Sequence, residues 1–180
     1  FSIFEPHTEW ISKGKAGVPQ ELGLKVCIVE DQYGFVLTHK VMRNSHDKEM
    51  AVQIITETKR KYPTLTSCSF DKNFYSPENK KRLSAILETA ALPKKGKLSQ
   101  AQKQEESQGK FVAARKQHPA IESGIHALEN HGLDRCLDYG IQGFQRYVSL
   151  AIVGRNVQVL GAILWKQEEQ TKRKKKTAPV

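Results

Sequence analysis

The sequence predicts an α/β domain: a mixed sheet flanked by helices, with a helical C-terminal part. Three observations predict it. Short apolar runs bounded by turn residues fill the first part of the chain. Helix starts with good capping chemistry follow at Asp47 and Ser76. Beyond Pro119 the apolar residues fall at helical spacing.

Each element has a local reason. Phe1 to Phe4 is a short β-like run, closed by Glu5-Pro6. Ser12 to Pro19 is a loop by its Gly and Pro content. Leu24 to Val29 and Phe35 to Met42 are strand candidates joined by the turn Asp31-Gln32-Tyr33-Gly34. Asp47 is the expected N-cap of a helix from Lys48 to Tyr62, ended by Pro63. Leu65 to Phe70 is an apolar run that delivers Asp71 at its end. Ser76-Pro77-Glu78 starts a helix running to about Ala91. Pro93 to Lys97 is a basic turn, and the polar stretch to Lys110 reads as a solvated helix or mobile loop. A helix follows Pro119, with Ile121, Ile125 and Leu128 as its stripe and Gly132 at its end. Phe144 to Trp165 is the last helix, read as buried.

The order strand, strand, strand, helix, strand, helix, helices is that of the ribonuclease-H-like fold. The first three strands would form an antiparallel meander. The crossover helix would bring the fourth strand beside the first. The expected organisation is one domain over 1–165, with a basic and polar insertion at 93–110 and a disordered basic tail at 166–180. The chain starts at Phe1, already in a strand, so a domain is expected upstream.

A net charge of +10 favours a polyanionic partner. Cys27, Cys68 and Cys136 are widely spaced and form no CxxC pair, so reduced thiols and a cytoplasmic setting are expected. Arg155, Asn156 and Gln158 interrupt the most apolar stretch, which argues against a membrane span.

Three acids could converge in the expected fold. Glu5 and Asp71 would end neighbouring strands, and Glu122 stands in the first turn of its helix. Carboxylates from several elements are what two-metal phosphoryl transfer requires, and such oxygen donors suit Mg²⁺ or Mn²⁺. Each acid also has a plain structural reading: a turn residue at Asp71, a first-turn acid at Glu122, a strand-end acid at Glu5. His118, Glu122 and His126 make a rival transition-metal set at helical spacing, although Pro119 places His118 before the helix. Gly14-Lys15 lacks the phosphate-loop pattern.

At these residues the chain resembles the catalytic region of bacterial insertion-sequence transposases of the DDE type. Phe1-Ser2-Ile3-Phe4-Glu5-Pro6-His7-Thr8 through Lys13-Gly14-Lys15 is similar to the family's opening, and Glu21-Leu22-Gly23-Leu24-Lys25-Val26 to a following strand. Asn44 to Asp47, Ser69 to Tyr75, Ile121-Glu122 through Arg135, and Arg155-Asn156 resemble later segments. The resemblance implies recognition of terminal inverted repeats, cleavage at element ends and strand transfer into target DNA. It implies metal binding by Asp71 and Glu122 and, by position, Glu5. Lys13, Lys15, Lys94, Lys95 and Lys97 would contact DNA. A homo-oligomer acting on nucleoid DNA in the cytoplasm is expected. The alternatives are a noncatalytic nucleic-acid-binding module or a nuclease built on the same fold. Three positions depart from the pattern: Glu5 replaces the usual Asp, Asn73 a usual glycine, and Glu129 a common basic residue.

Overall fold

The computed structural model describes residues 5–12, 20–133 and 135–177. The expected strand Phe1 to Phe4, and Lys13 and Lys15, lie outside them. The fold is mixed α/β, with helices around small sheets and one long C-terminal helix.

Six strands form three two-stranded sheets among the described residues. β1 (Glu9–Ser12) pairs antiparallel with β2 (Gln20–Gly23). β1 was not expected as a strand; β2 overlaps the segment from Glu21 to Val26 whose resemblance implied one. β3 (Val26–Glu30) and β4 (Val36–Val41) form the expected hairpin. Asp31 Oδ1 accepts the Tyr33 and Phe35 N–H groups, each at 2.9 Å, and Gly34 takes φ 89°. That left-handed turn suits glycine.

Helix α1 (Asp47–Lys61) follows, with His46 rather than Asp47 at the N-cap. The Glu49 carboxylate accepts the His46 N–H at 3.1 Å, so the cap is set from the third helical residue. Asp47 moves into the first turn, where a negative charge favours the helix dipole. α1 packs Met50, Ala51, Ile54 and Ile55 into a core with Cys27, Val29, Phe70, Leu83 and Leu87.

β5 (Ser67–Ser69) pairs in parallel with β6 (Thr89–Ala91). The helix between them, α2 (Pro77–Ile86), ends earlier than its residue preferences suggest. The Glu88 and Thr89 N–H groups bond to the Thr66 carbonyl at 2.9 and 3.2 Å, which draws the chain alongside β5. Tertiary hydrogen bonding here overrides helix propensity. The single mixed sheet expected from element order is thus represented by separate pairs.

The polar insertion is ordered. It contains α3 (Gln100–Glu106), capped by Ser99, and the start of α4 (Gly109–Gln117). Glu105 pairs with Lys80 of α2, and the Glu106 carboxylate accepts the Lys94 N–H at 3.2 Å. α5 (Pro119–Leu128) continues from α4 across His118, whose backbone is helical. Pro119 interrupts the hydrogen-bond ladder, so the pair is a broken helix rather than two distant ones.

α6 (Gly140–Thr177) is a single helix of 38 residues. It replaces the expected disordered tail through Thr177, and a boundary at residue 165 falls inside it. Val148, Ile152 and Val159 are buried, the first two in a second core with Val36 and Leu128. Asn156 clasps β4: its Oδ1 accepts the Val36 N–H at 2.9 Å and its Nδ2 donates to the Val36 carbonyl at 3.0 Å. The expectation of a buried helix holds for this stripe alone; Leu150, Val153, Val157, Leu160 and Leu164 are exposed. By length and composition, Gly140–Lys174 is sufficient to cross a membrane.

Candidate active site

Asp71 stands where the sequence places it, directly after β5. Its backbone is extended, and a 3-10 turn, Lys72–Phe74, begins at once. The Asp71 carboxylate accepts the Lys72 N–H at 2.7 Å. Phe70 anchors the turn from one side: it is buried, and its N–H bonds the Ala91 carbonyl at 3.0 Å. Its ring lies 6.1 Å from that of Phe74. Asn79 anchors the other side. Its buried amide donates to the carbonyls of Lys48, at 2.7 Å, and Phe74, at 2.9 Å. Asp71 is therefore an exposed acid on a rigid support.

Asn73 needs no left-handed backbone. It lies within the 3-10 turn, and Asn44 is the non-glycine residue with positive φ among the described residues. Asn73 therefore sits in this turn without the positive φ that would favour glycine.

Glu122 stands in the first turn of α5, the second half of the broken helix. Arg115 of α4 donates to the Phe70 carbonyl at 3.0 Å, which fixes that helix beside the start of the Asp71 turn. His118, at the break, feels the charges of both Asp71 and Glu122. Burial holds its imidazole below the usual range, and Arg115 pushes the same way, while the two acids pull it back. Its Nδ1 is buried and makes no hydrogen bond among the described residues. Glu122 itself is exposed.

α5 owes its position to a close approach. A Cβ on Gly124 would collide with the Glu30 carboxylate at the end of β3. Burial lifts the Glu30 carboxyl above the usual carboxylate range, against the pull of Arg155. One Glu30 oxygen has no hydrogen-bond partner among the described residues.

The remaining candidates divide. Glu5 lies at the start of α6, where its carboxylate oxygens accept the Gly140 N–H at 3.2 Å, and it pairs with His7 at 3.2 Å. The described residues contain no group of three His, Cys, Asp or Glu side chains able to share a metal ion. Glu5, Asp71 and Glu122 therefore form no shared three-ligand metal group among the described residues. The rival set of His118, Glu122 and His126 fails the same test; His126 faces Glu129 at 3.8 Å. Lys95 bonds the Asn73 side chain, so the basic turn abuts the Asp71 turn. Lys94 Nζ reaches Gln102 at 3.3 Å, and Lys97 is exposed.

A family model described as the transposase DDE domain matches residues 3–157. The chain belongs to this family. The comparisons with curated proteins and with solved structures give no match. The family's general function is DNA transposition, with DNA as partner and divalent metal ions as cofactors. The residues present fit such an ion in part. Mg²⁺ is commonly held by one or two carboxylates together with waters and substrate phosphates. Asp71 and Glu122 are exposed oxygen donors of the kind such an ion takes, and with His118 they too form no three-ligand group among the described residues.

Sequence reasoning passed over Asn79, Arg115 and Glu30. The first two act through backbone carbonyls, and the third through a glycine. Neither kind of contact leaves a spacing signal in the sequence.

Proposed function

We propose that this domain cuts DNA at the ends of a mobile element and joins the freed ends to target DNA. What supports the reading is the placement of Asp71 and Glu122 about His118 in a chain of this family. A ribonuclease-H-like layout is proposed with it, Asp71 marking the end of the parallel strand β5.

Asp71 and Glu122 would hold Mg²⁺ or Mn²⁺, which when bound stabilises charge on the attacking and leaving oxygens of the phosphodiester. His118 is kept largely neutral near pH 7, so it does not neutralise either acid as an ion-pair partner. Asn79 and Phe70 hold the turn that carries Asp71 against the electrostatic pull of the bound backbone. Lys95, beside that turn, and Lys94 and Lys97 would attract DNA phosphates. Lys13 and Lys15 are proposed for the same role. Binding of this kind weakens steeply with added salt. Element terminal repeats and target DNA are the proposed substrates, in the cytoplasm.

The test is excision and integration in cells by the transposase that contains this domain, wild type against Asp71→Asn. The substitution preserves shape and removes charge. Activity should fall at least about 100-fold, the scale of losing a preorganised electrostatic group, with protein abundance unchanged. Undiminished activity would refute the assignment. The lack of a three-ligand metal group among the described residues favours, as a second reading, a DNA-binding module without catalysis. DNA binding by a wild-type chain inert in both Mg²⁺ and Mn²⁺ would select it.

A further inference from the structure

We propose that α3 is a displaceable strap, which masks a phosphate-binding surface made by Lys80 and Lys94 until DNA takes its place. Polar contacts rather than burial hold α3. None of its seven residues is buried, and Ala101 is the one apolar side chain among them. A helix this short does not stand by itself in water. Its order rests on the capping box at Ser99 and on the side chains of one face, Gln102, Glu105 and Glu106. Glu105 pairs with Lys80 of α2. Glu106 Oε1 accepts the Lys94 N–H at 3.2 Å, and Lys94 Nζ donates to Gln102 Oε1 at 3.3 Å.

Both lysines line one narrow cleft, and Gln102, Glu105 and Glu106 of α3 form its other wall. An ammonium group is a compact point charge that pairs with a carboxylate or a phosphate oxygen alike. Glu105 therefore occupies the place that a DNA phosphate would take. The side chains of Lys80 and Glu105 are 36% and 42% exposed, so their pair is screened by salt and adds little to stability. A duplex offers a row of closely spaced phosphates and releases counterions as they are neutralised. In that exchange the strap is the weaker partner.

The surroundings let α3 move alone. Glycines bound the segment. Gly96 takes φ 81°, a left-handed conformation that suits glycine, and Gly109 opens α4 where a Cβ would meet nothing within 4 Å. Such residues absorb backbone rotation at hinges. The elements on either side are fixed. The Phe70 N–H holds the Ala91 carbonyl at the end of β6, and Arg115 of α4 holds the Phe70 carbonyl. At the root of the strap, Lys95 bonds the side chain of Asn73, which lies two residues past Asp71. Lifting α3 adds Lys80 and Lys94 to Lys95 on one phosphate path toward Asp71. This role rests on DNA as the proposed partner and is independent of metal binding by Asp71 or Glu122.

The test is amide hydrogen exchange of the 180-residue chain with a DNA duplex, in EDTA so that no strand is cut. Fluorescence anisotropy of the labelled duplex reads binding in the same samples. On binding, exchange at residues 100–106 should quicken by about tenfold or more, because the detached segment keeps no helix. Exchange in α1 should not change. Glu105→Gln should quicken residues 100–106 without DNA. It should also tighten DNA binding severalfold more than Glu88→Gln, the same charge change at another exposed acid. Lys80→Gln should lower the slope of log affinity against log salt by about 1. Bound DNA with exchange at 100–106 unchanged or slowed overturns the strap and leaves DNA binding standing. Equal effects of Glu105→Gln and Glu88→Gln, or a wild-type salt slope in Lys80→Gln, overturn the masked surface. A chain that binds no DNA overturns the strap together with the DNA reading.

Discussion

Asp71 and Glu5 were expected in equivalent places, each at a strand end and each beside the other. Their surroundings differ. Asp71 stands on a turn held by a buried phenylalanine, a buried asparagine and a strand hydrogen bond. It projects into solvent. Glu5 turns its charge to a backbone N–H at the start of α6 and to His7. Asp71 accepts the N–H of the next residue, whereas Glu5 accepts that of Gly140, 135 residues away. A strand-end acid is thus not defined by its position in sequence. What the neighbouring elements offer its oxygens decides whether it remains available to a ligand.

The sharpest way to break the comparison is at the pair itself. Glu122→Gln should cost about as much activity as Asp71→Asn, at least about 100-fold. The double variant should be little worse than either, because residues acting as one unit are not additive. Kinetics of end cleavage for the three variants would show it. Fully multiplicative losses would mean that the two acids work apart.

Next comes the support of the turn. Asn79→Ala leaves the Lys48 and Phe74 carbonyls without their buried donor. It should destabilise the fold by about 1–3 kcal/mol, measured by urea denaturation. Activity measured well below the unfolding midpoint should fall too, since the Asp71 turn loses its anchor.

Glu5→Gln tests the other side of the comparison. The loss of a negative charge at a helix N-terminus should cost about 0.3–1 kcal/mol. Activity should stay far nearer wild type than Asp71→Asn leaves it. A collapse equal to that of Asp71→Asn would place Glu5 among the metal ligands after all.

The smallest effect is expected at Glu30. Burial raises its folded-state carboxyl above the usual range, so the native state holds a proton that the unfolded chain releases sooner. The associated stability is present in acid and is lost as pH rises through the raised folded value. Glu30→Gln has no proton to lose. Urea midpoints should therefore favour the variant at neutral pH relative to their difference in acid. A difference independent of pH would show that Arg155 compensates the charge fully.

Much of this was legible in advance. The β3–β4 hairpin announced itself through Asp31 and Gly34, whose turn chemistry is local. Ser76-Pro77-Glu78 marked the start of α2 for the same reason. Asp71 was found because an apolar run ends at it. The parallel β5–β6 pair was not legible, since Thr89–Ala91 reads as helix until Thr66 captures its backbone. Nor was the ordering of 93–110, which depends on Glu105 and Glu106 meeting Lys80 and Lys94.

The sequence by itself determined the start of α2, the β3–β4 hairpin and the family resemblance, because capping, turn and apolar-run signals act over a few residues. Tertiary structure decided how the helices that carry the later candidates are held: Arg115 of α4 reaches Phe70, 45 residues away, and Gly124 of α5 admits Glu30. It also decided that α6 shows one apolar stripe to the core and one to solvent. Both stripes are written in the sequence, but only packing shows which is covered.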